Sequence, residues 1–324
     1  MIRDIKFGLV PNGYSGYDNR PLYNSADSSL LLIEQVYKYL KYTNDNEFIK
    51  DEIYPSLVKI MDAYSDRVDV DGDNIYLDKE DNLLSAGTEN TQITWMDVKI
   101  DNHAITPRNG KTVELNALWY NALRFVADLV REGGDAIFAD VLDAQAEVTG
   151  KSFVDVFRNE YGYLLDYVDG NMMDWSVRPN MIFTVAFDYS PLDARQKKGV
   201  LDVVTKELLT PKGLRSLSPK SGGYNPNYVG PQMQRDYAYH QGTAWPWLAG
   251  FYFEAYLRIY KMSALGFIER QLIGYEDEMV SHCIGSIPEL FDGNPPFKGR
   301  GAVSFAMNVA EILRVLYLLS KYNY

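Results

Sequence analysis

Between Thr94 and Asn121 the chain reads TWMDVKIDNHAITPRNGKTVELNALWYN. Trp95, Met96 and Asp97 open the stretch. A loop with Pro107, Arg108 and Gly110 follows, and the stretch closes in the first turns of a helix carrying Glu114 and Asn121. Such a density of Trp, Asp, Arg, Glu and Asn around a helix start is unusual for a purely structural segment. Carbohydrate chemistry needs these types: indole faces for the C–H surface of a sugar, carboxylates for its hydroxyls and for proton transfer.

The elements that must position these groups fit in one large domain spanning residues 1–324, since no Pro/Ser-rich linker, charge block or low-complexity run divides the chain. The formal charge is −12, from Lys+Arg 32 against Asp+Glu 44. It argues against a nucleic-acid partner, which would want a basic stripe. The 25 tyrosines and 5 tryptophans fill core and surface or line a sugar cleft. The one cysteine, Cys283, has no partner within the chain, which fits a reducing, cytoplasmic setting. The start, MIRDIKFGLVPNG, has no apolar signal core. The most apolar long segment, Gly301 to Ser320, is interrupted by Asn308, Glu311 and Arg314, so it reads as a buried helix and not as a membrane span.

Periodicity predicts nine helices. They run from Asp27 to about Tyr42, Glu47 to Asp66, Thr112 to Arg131, Ala136 to Arg158, a short one after Asn180, from Asp193 to about Leu209, Pro246 to Tyr260, Ser263 to His282, and Ala302 to Lys321. Asn24-Ser25 supplies an N-cap for the first, Gly133-Gly134 ends the third, and Pro246 suits a first helical turn. Val68-Asp69-Val70, Ile75-Tyr76-Leu77 and Leu83-Leu84 read as a β-hairpin insertion. Thr210 to Gly242 reads as a long loop, and loops of that length are more often functional than idle. The helices fall in consecutive hairpins, and the last is apolar all round, which implies an inner layer covered by an outer one. The expected fold class is all-α, a toroid of helical hairpins with small β-hairpin insertions. A closed six-hairpin ring would need twelve helices.

Six stretches carry a family resemblance: GLVPN (Gly8 to Asn12), YNSADSSL (Tyr23 to Leu30), TWMD (Thr94 to Asp97), TPRNGKTVELNALWYNAL (Thr106 to Leu123), YHQGTAWPW (Tyr239 to Trp247) and SIPELFDG (Ser286 to Gly293). In this order they resemble the C-terminal amylo-α-1,6-glucosidase domain of glycogen debranching enzymes, an (α/α)6 toroid. The family domain carries further helices and an aromatic, Trp-Gly-Arg-Asp-rich stretch before GLVPN. Here Met1 stands seven residues before Gly8, so the resemblance implies a toroid lacking its first helices. Nothing in the chain resembles the family's glucan-transferase domain. The implied activity is release of α-1,6-linked glucose from glycogen or limit dextrin with inversion, beside a separate glucan-transferase. A glucoamylase- or trehalase-like hydrolase on the same fold and a non-catalytic α-glucan-binding domain are the alternative readings.

Inverting hydrolysis needs an acid for the leaving oxygen and a second carboxylate that activates water. The resemblance makes Asp97 the general acid and Glu289 the general base. Both fall in expected loops, and Trp95 and Met96 beside Asp97 would favour its protonated form by desolvation. From the residues alone, Asp97 as a helix cap and Glu289 as a loop carboxylate bonded to backbone remain open. Glu114 and Asn121 share a helical face with Ala117 and read as hydroxyl ligands. Arg108 pairs with a nearby acid, and reads either as a substrate-binding residue or as purely structural. Asp27 caps the first helix or, as the family match favours, joins the site. His240 and Gln241 read as sugar contacts, with one of Trp245 and Trp247 stacking on glucose and the other packing in the core. Ser304, Asn308 and Glu311 form a polar stripe that bonds neighbouring helices or faces a cavity. No cofactor is implied, and no metal: His103, His240 and His282 lack ligand spacing, and Asp69-Asp71-Asp73 reads as a hairpin turn.

Overall fold

The computed structural model describes residues 2–70, 72–281 and 284–322. Among the described residues each of the nine expected helical stretches contains helix, and the one expected from Ser263 to His282 is split into Leu265–Glu276 and Glu278–Ser281. Asp71, His282 and Cys283 lie outside the described residues. The chain forms two compact units. One comprises Met1–Arg158, Tyr167–Asp174 and Asp188–Leu192. The other comprises Asn159–Asp166, Trp175–Phe187 and Asp193–Tyr324.

In the first unit, the helix Ser28–Thr43 starts where Ser25 Oγ accepts the Ser28 N–H at 3.2 Å. It stops at Asn44, which takes the left-handed conformation. The expected second helix is broken into Asn46–Phe48, a π-helical turn at Ile49–Ile53 and the helix Tyr54–Tyr64. Pro55 is the physical reason: it has no N–H to give the preceding turn, and a wider turn absorbs the lost bond. The helix Val113–Glu132 packs along Ala136–Phe157, and Asp135 caps the second helix through the Phe138 N–H. Trp119 is fully buried and stacks on Tyr64 at 6.4 Å. Three short antiparallel strands, Arg67–Val68, Ile75–Leu77 and Leu84–Ser85, form the expected insertion. Gly8 of the GLVPN segment has a φ of +82°, and a Cβ there would meet Ala63 and come within 2.8 Å of the Lys59 carbonyl. Only glycine lets this segment cross the helix Tyr54–Tyr64 so closely. Ser29 Oγ then ties the segment down, donating to the Gly8 carbonyl and accepting the Val10 N–H.

In the second unit, the helices Ala194–Glu207, Pro246–Tyr260, Leu265–Glu276 and Ala306–Ser320 surround a five-stranded antiparallel sheet. Its strands run in spatial order Leu209–Thr210, Gly213–Arg215, Ala244–Trp245, Leu290–Phe291, Gly299–Arg300. The expected loop from Thr210 to Gly242 therefore contains strand residues, and also the helix Gln232–Ala238. A capping box at Asp193 and Gln196 starts Ala194–Glu207. The last helix corrects the reading of Gly301 to Ser320 as a buried helix. It buries Asn308, Ile312, Val315 and Leu319 but leaves Met307, Leu313 and Leu316 about half exposed. Its polar residues bond to protein: Asn308 to three backbone groups, Glu311 to Arg314, and Ser304 to Ser286. No described helix is long and apolar enough to cross a membrane.

Candidate active site

The candidate residues divide between the two units. Asp27, Trp95, Asp97, Arg108, Glu114 and Asn121 belong to the first, and His240, Gln241, Trp245, Trp247 and Glu289 to the second.

In the first unit, the Ile93–Asp97 segment is held against the start of the first helix. The Ala26 N–H donates to the Ile93 carbonyl at 2.8 Å, and the Trp95 N–H to Asp27 Oδ2 at 3.1 Å. Asp27 makes no side-chain cap bond to its own helix. Its other oxygen accepts from the Ser25 hydroxyl. Asp27 is thus the anchor for the residues leading to Asp97. Asp97 itself is exposed, Met96 is buried and Trp95 half-buried. Behind them, Arg108 forks onto both oxygens of Glu114, with the Nη2–Oε2 bond at 2.6 Å, and donates to Thr94 Oγ1 at 3.1 Å. Both side chains are about 2% exposed. Asn121 is equally buried and donates to Glu34 Oε2 at 2.7 Å, while Glu34 also pairs with Lys38. Arg108, Glu114 and Asn121 therefore form an interior polar scaffold under the Thr94–Asp97 segment.

Burial pushes the Asp27 carboxyl above its ordinary pKa of 3.8. The bonds from Ser25 and the Trp95 N–H oppose this, and the negative charge of Asp97 adds to it. The folded state therefore holds this proton at pH values where the unfolded chain has released it. The contribution of Asp27 to stability falls as pH rises above about 4. An Asp27→Asn variant cannot ionise, so its unfolding free energy is expected to gain on the parent's as pH is raised from 4 to 7 in urea titrations. Parallel pH curves would contradict this.

In the second unit, Glu289 sits beside the strand Leu290–Phe291 and is held by both its backbone and its side chain. Its N–H donates to the Ala302 carbonyl, and its own carbonyl accepts from Asn308 Nδ2 at 2.9 Å. The Tyr239 hydroxyl donates to Oε1, and the Ala302 N–H to Oε2 at 2.7 Å. Gly301, at φ +72°, lets the chain pass beneath the side chain, where a Cβ would stand 2.9 Å from Glu289 Cβ. The side chain faces an open cleft of about 480 Å³ lined by Tyr228, Arg235 and Arg300. Two donors leave part of the carboxylate's acceptor capacity unused.

The loop before the Ala244–Trp245 strand is an aromatic stack. His240 lies on Trp245 at 5.5 Å and 21°, and Tyr239 meets Trp245 edge-on at 4.9 Å. His240, Trp245 and Trp247 are buried, whereas Gln241 is half-buried. Trp247 packs among Phe183 and Phe251, and Trp245 and His240 are buried as well, so the expected stacking of one indole on glucose and the expected sugar contact of His240 are corrected: these rings pack inside the protein. Two residues here escaped the sequence reading. Tyr239 lay inside a quoted motif without a role. Arg178 is buried and gathers this loop: it donates to the carbonyls of His240 (2.8 Å) and Ser216 (3.1 Å) and to Gln241 Oε1 (3.2 Å), and its Nε lies 3.8 Å from Asp166. The one available signal was a lone arginine directly before Pro179, ahead of the apolar stretch Met181 to Phe187.

Among the described residues no group of three or more His, Cys, Asp or Glu could hold a metal ion.

Neutral trehalase Nth1 from Saccharomyces cerevisiae is similar over 71% of this chain and 41% of its own, with a TM-score of 0.52 and 17% identity. That likeness shows the fold, all-α of the α/α-toroid class. The glycogen debranching enzyme of Saccharomyces cerevisiae is 26% identical over 78% of the chain. The chain spans only 22% of that relative's length. The sequence profile described as amylo-alpha-1,6-glucosidase matches residues 2–314, so the chain belongs to the amylo-alpha-1,6-glucosidase family.

Proposed function

We propose that this chain is an inverting α-1,6-glucosidase that removes single glucose residues from the branch points of debranched glycogen or limit dextrin. Asp97 donates a proton to the leaving oxygen, and Glu289 draws one from the attacking water. The observation that carries this reading is the setting of Glu289: a carboxylate fixed by Tyr239 and the Ala302 N–H at the wall of a cleft, with acceptor capacity left over. Trp95 and Gln241, the half-buried members of their clusters, contact the sugar. Arg108, Glu114, Asn121 and Asp27 set the Thr94–Asp97 segment in place. His240, Trp245 and Trp247 do the same for Glu289. The whole chain acts as one catalytic domain in the cytoplasm, and a separate glucan-transferase prepares its substrate.

The direct test is glucose release from a singly α-1,6-branched dextrin, with a linear α-1,4 dextrin and trehalose as controls. Release from the branched substrate alone, with the β-anomer formed first, is the expected result. Release from the linear dextrin or from trehalose in preference would replace the α-1,6 reading. Binding of dextrin with no release would make the chain a glucan-binding domain.

Tyr239 gives a finer check. The Tyr239→Phe variant keeps the ring against Trp245 and His240 but removes the hydroxyl that orients Glu289. Loss of one such bond corresponds to about 1–1.5 kcal/mol, so kcat is expected to fall about tenfold with KM unchanged. An unaltered kcat would show that Glu289 does not depend on this bond.

A further inference from the structure

Three aromatic side chains stand outside this machinery on the surface of the second unit. Tyr161 is 69% exposed and Trp175 44% exposed. Their rings meet nearly at right angles, with centroids 6.1 Å apart, and Tyr163 stacks on Tyr161 at 6.5 Å. The cluster is preformed. Asn159 Oδ1 accepts the N–H groups of Tyr161 and Tyr163, and the Tyr163 hydroxyl donates to the Trp175 carbonyl at 3.0 Å. Leaving an indole and a phenol this open forgoes the burial that large rings normally gain, and such a patch marks a binding surface.

The position of the patch identifies what it binds. Tyr163 precedes Asp166 by three residues, and Trp175 precedes Arg178 by three. Asp166 and Arg178 are the ion pair that holds His240 and Gln241. Three residues reach at most about 10 Å, so both ring-bearing segments run out from the support of the sugar-contacting loop. We infer that Trp175 and Tyr161 form a subsite for the α-1,4-glucan chain that carries the branch, one or more sugar residues away from the bond that is cut. A neutral chain of sugar rings suits this corner: one ring stacks on a C–H face while the other closes the side. The inference rests on the glucosidase reading above and extends it to residues that no motif marks.

The experiment compares two substrates that each bear one α-1,6-glucosyl branch, one on maltotriose and one on maltoheptaose. For Trp175→Ala, KM for the longer substrate is expected to rise about tenfold. KM for the shorter one and both kcat values stay unchanged, with Tyr161→Ala giving a smaller rise in the same direction. Equal KM changes on both substrates, or none on either, would overturn the subsite. Both residues are exposed, and an unchanged melting temperature confirms that the variants fold. If the parent chain releases no glucose, the glucosidase reading fails by itself. Calorimetric titration with maltoheptaose then decides the subsite separately: weaker binding by Trp175→Ala supports it, and equal binding overturns it.

Discussion

Glucose release by a Glu289→Gln variant is expected to fall on the order of 10³-fold, and by an Asp97→Asn variant to a similar extent. Glutamine preserves the shape of the side chain and can still accept the Ala302 N–H. It cannot take a proton from water, so the loss falls on kcat while dextrin binding stays within about twofold. Asparagine at 97 likewise keeps the size of the exposed side chain and removes the proton it delivers. Steady-state kinetics on the branched dextrin, with binding measured separately, check both. Near-parent turnover in either variant would take that residue out of the reaction.

The second large effect is on stability. Arg108 and Glu114 are paired out of water, with Thr94 as the third member of the group. A Glu114→Ala variant removes the carboxylate that answers this interior guanidinium's charge, and breaking a buried pair in this way costs about 3–5 kcal/mol. For a chain of this size that corresponds to a fall in Tm of roughly 10 °C. Replacing both together, as Arg108→Leu with Glu114→Met, removes the interior charge as well and is expected to recover much of the loss. If the double variant is no more stable than the single one, the pair is not acting as a unit. Since Arg108 also supports Thr94, the double variant further tests whether the Thr94–Asp97 segment needs that bond for activity.

The helices were legible because their signals are local. Ser25, Asp135 and the Asp193–Gln196 box lie within a few residues of the groups they cap. What escaped was set by partners distant in sequence or by segments too short to show a period. The strands of the central sheet of the second unit have only two or three residues each, too few for alternation to appear. The helix Gln232–Ala238 buries only Ala238, so it has no apolar face to read. The last helix shows the converse limit: it is mostly apolar around its circumference, but composition does not say whether a neighbour covers each side. In the site, Asp97 and Glu289 stood out through their motifs. Arg178 could not, because its acceptors come from residues 12 to 63 positions away. Tyr239 was hidden for a related reason, since a tyrosine hydroxyl does not reveal its acceptor 50 positions on. Glu114 and Asn121 were grouped correctly on one helical face, but that face points into the protein and bonds to Arg108 and Glu34.

The sheet of the second unit bears on how variants of this chain should be made. Leu214 pairs with Trp245, Ala244 with Phe291, and Leu290, next to Glu289, with Arg300. The indole loop and the carboxylate are therefore parts of one frame, and a substitution that moves one strand moves the other with it. Libraries that randomise these positions would mix changes in specificity with loss of catalysis, and selection could not separate the two one residue at a time. Tyr161 and Trp175 hang outside that frame, so diversity placed there can alter the preferred chain length while the reacting groups stay where they are.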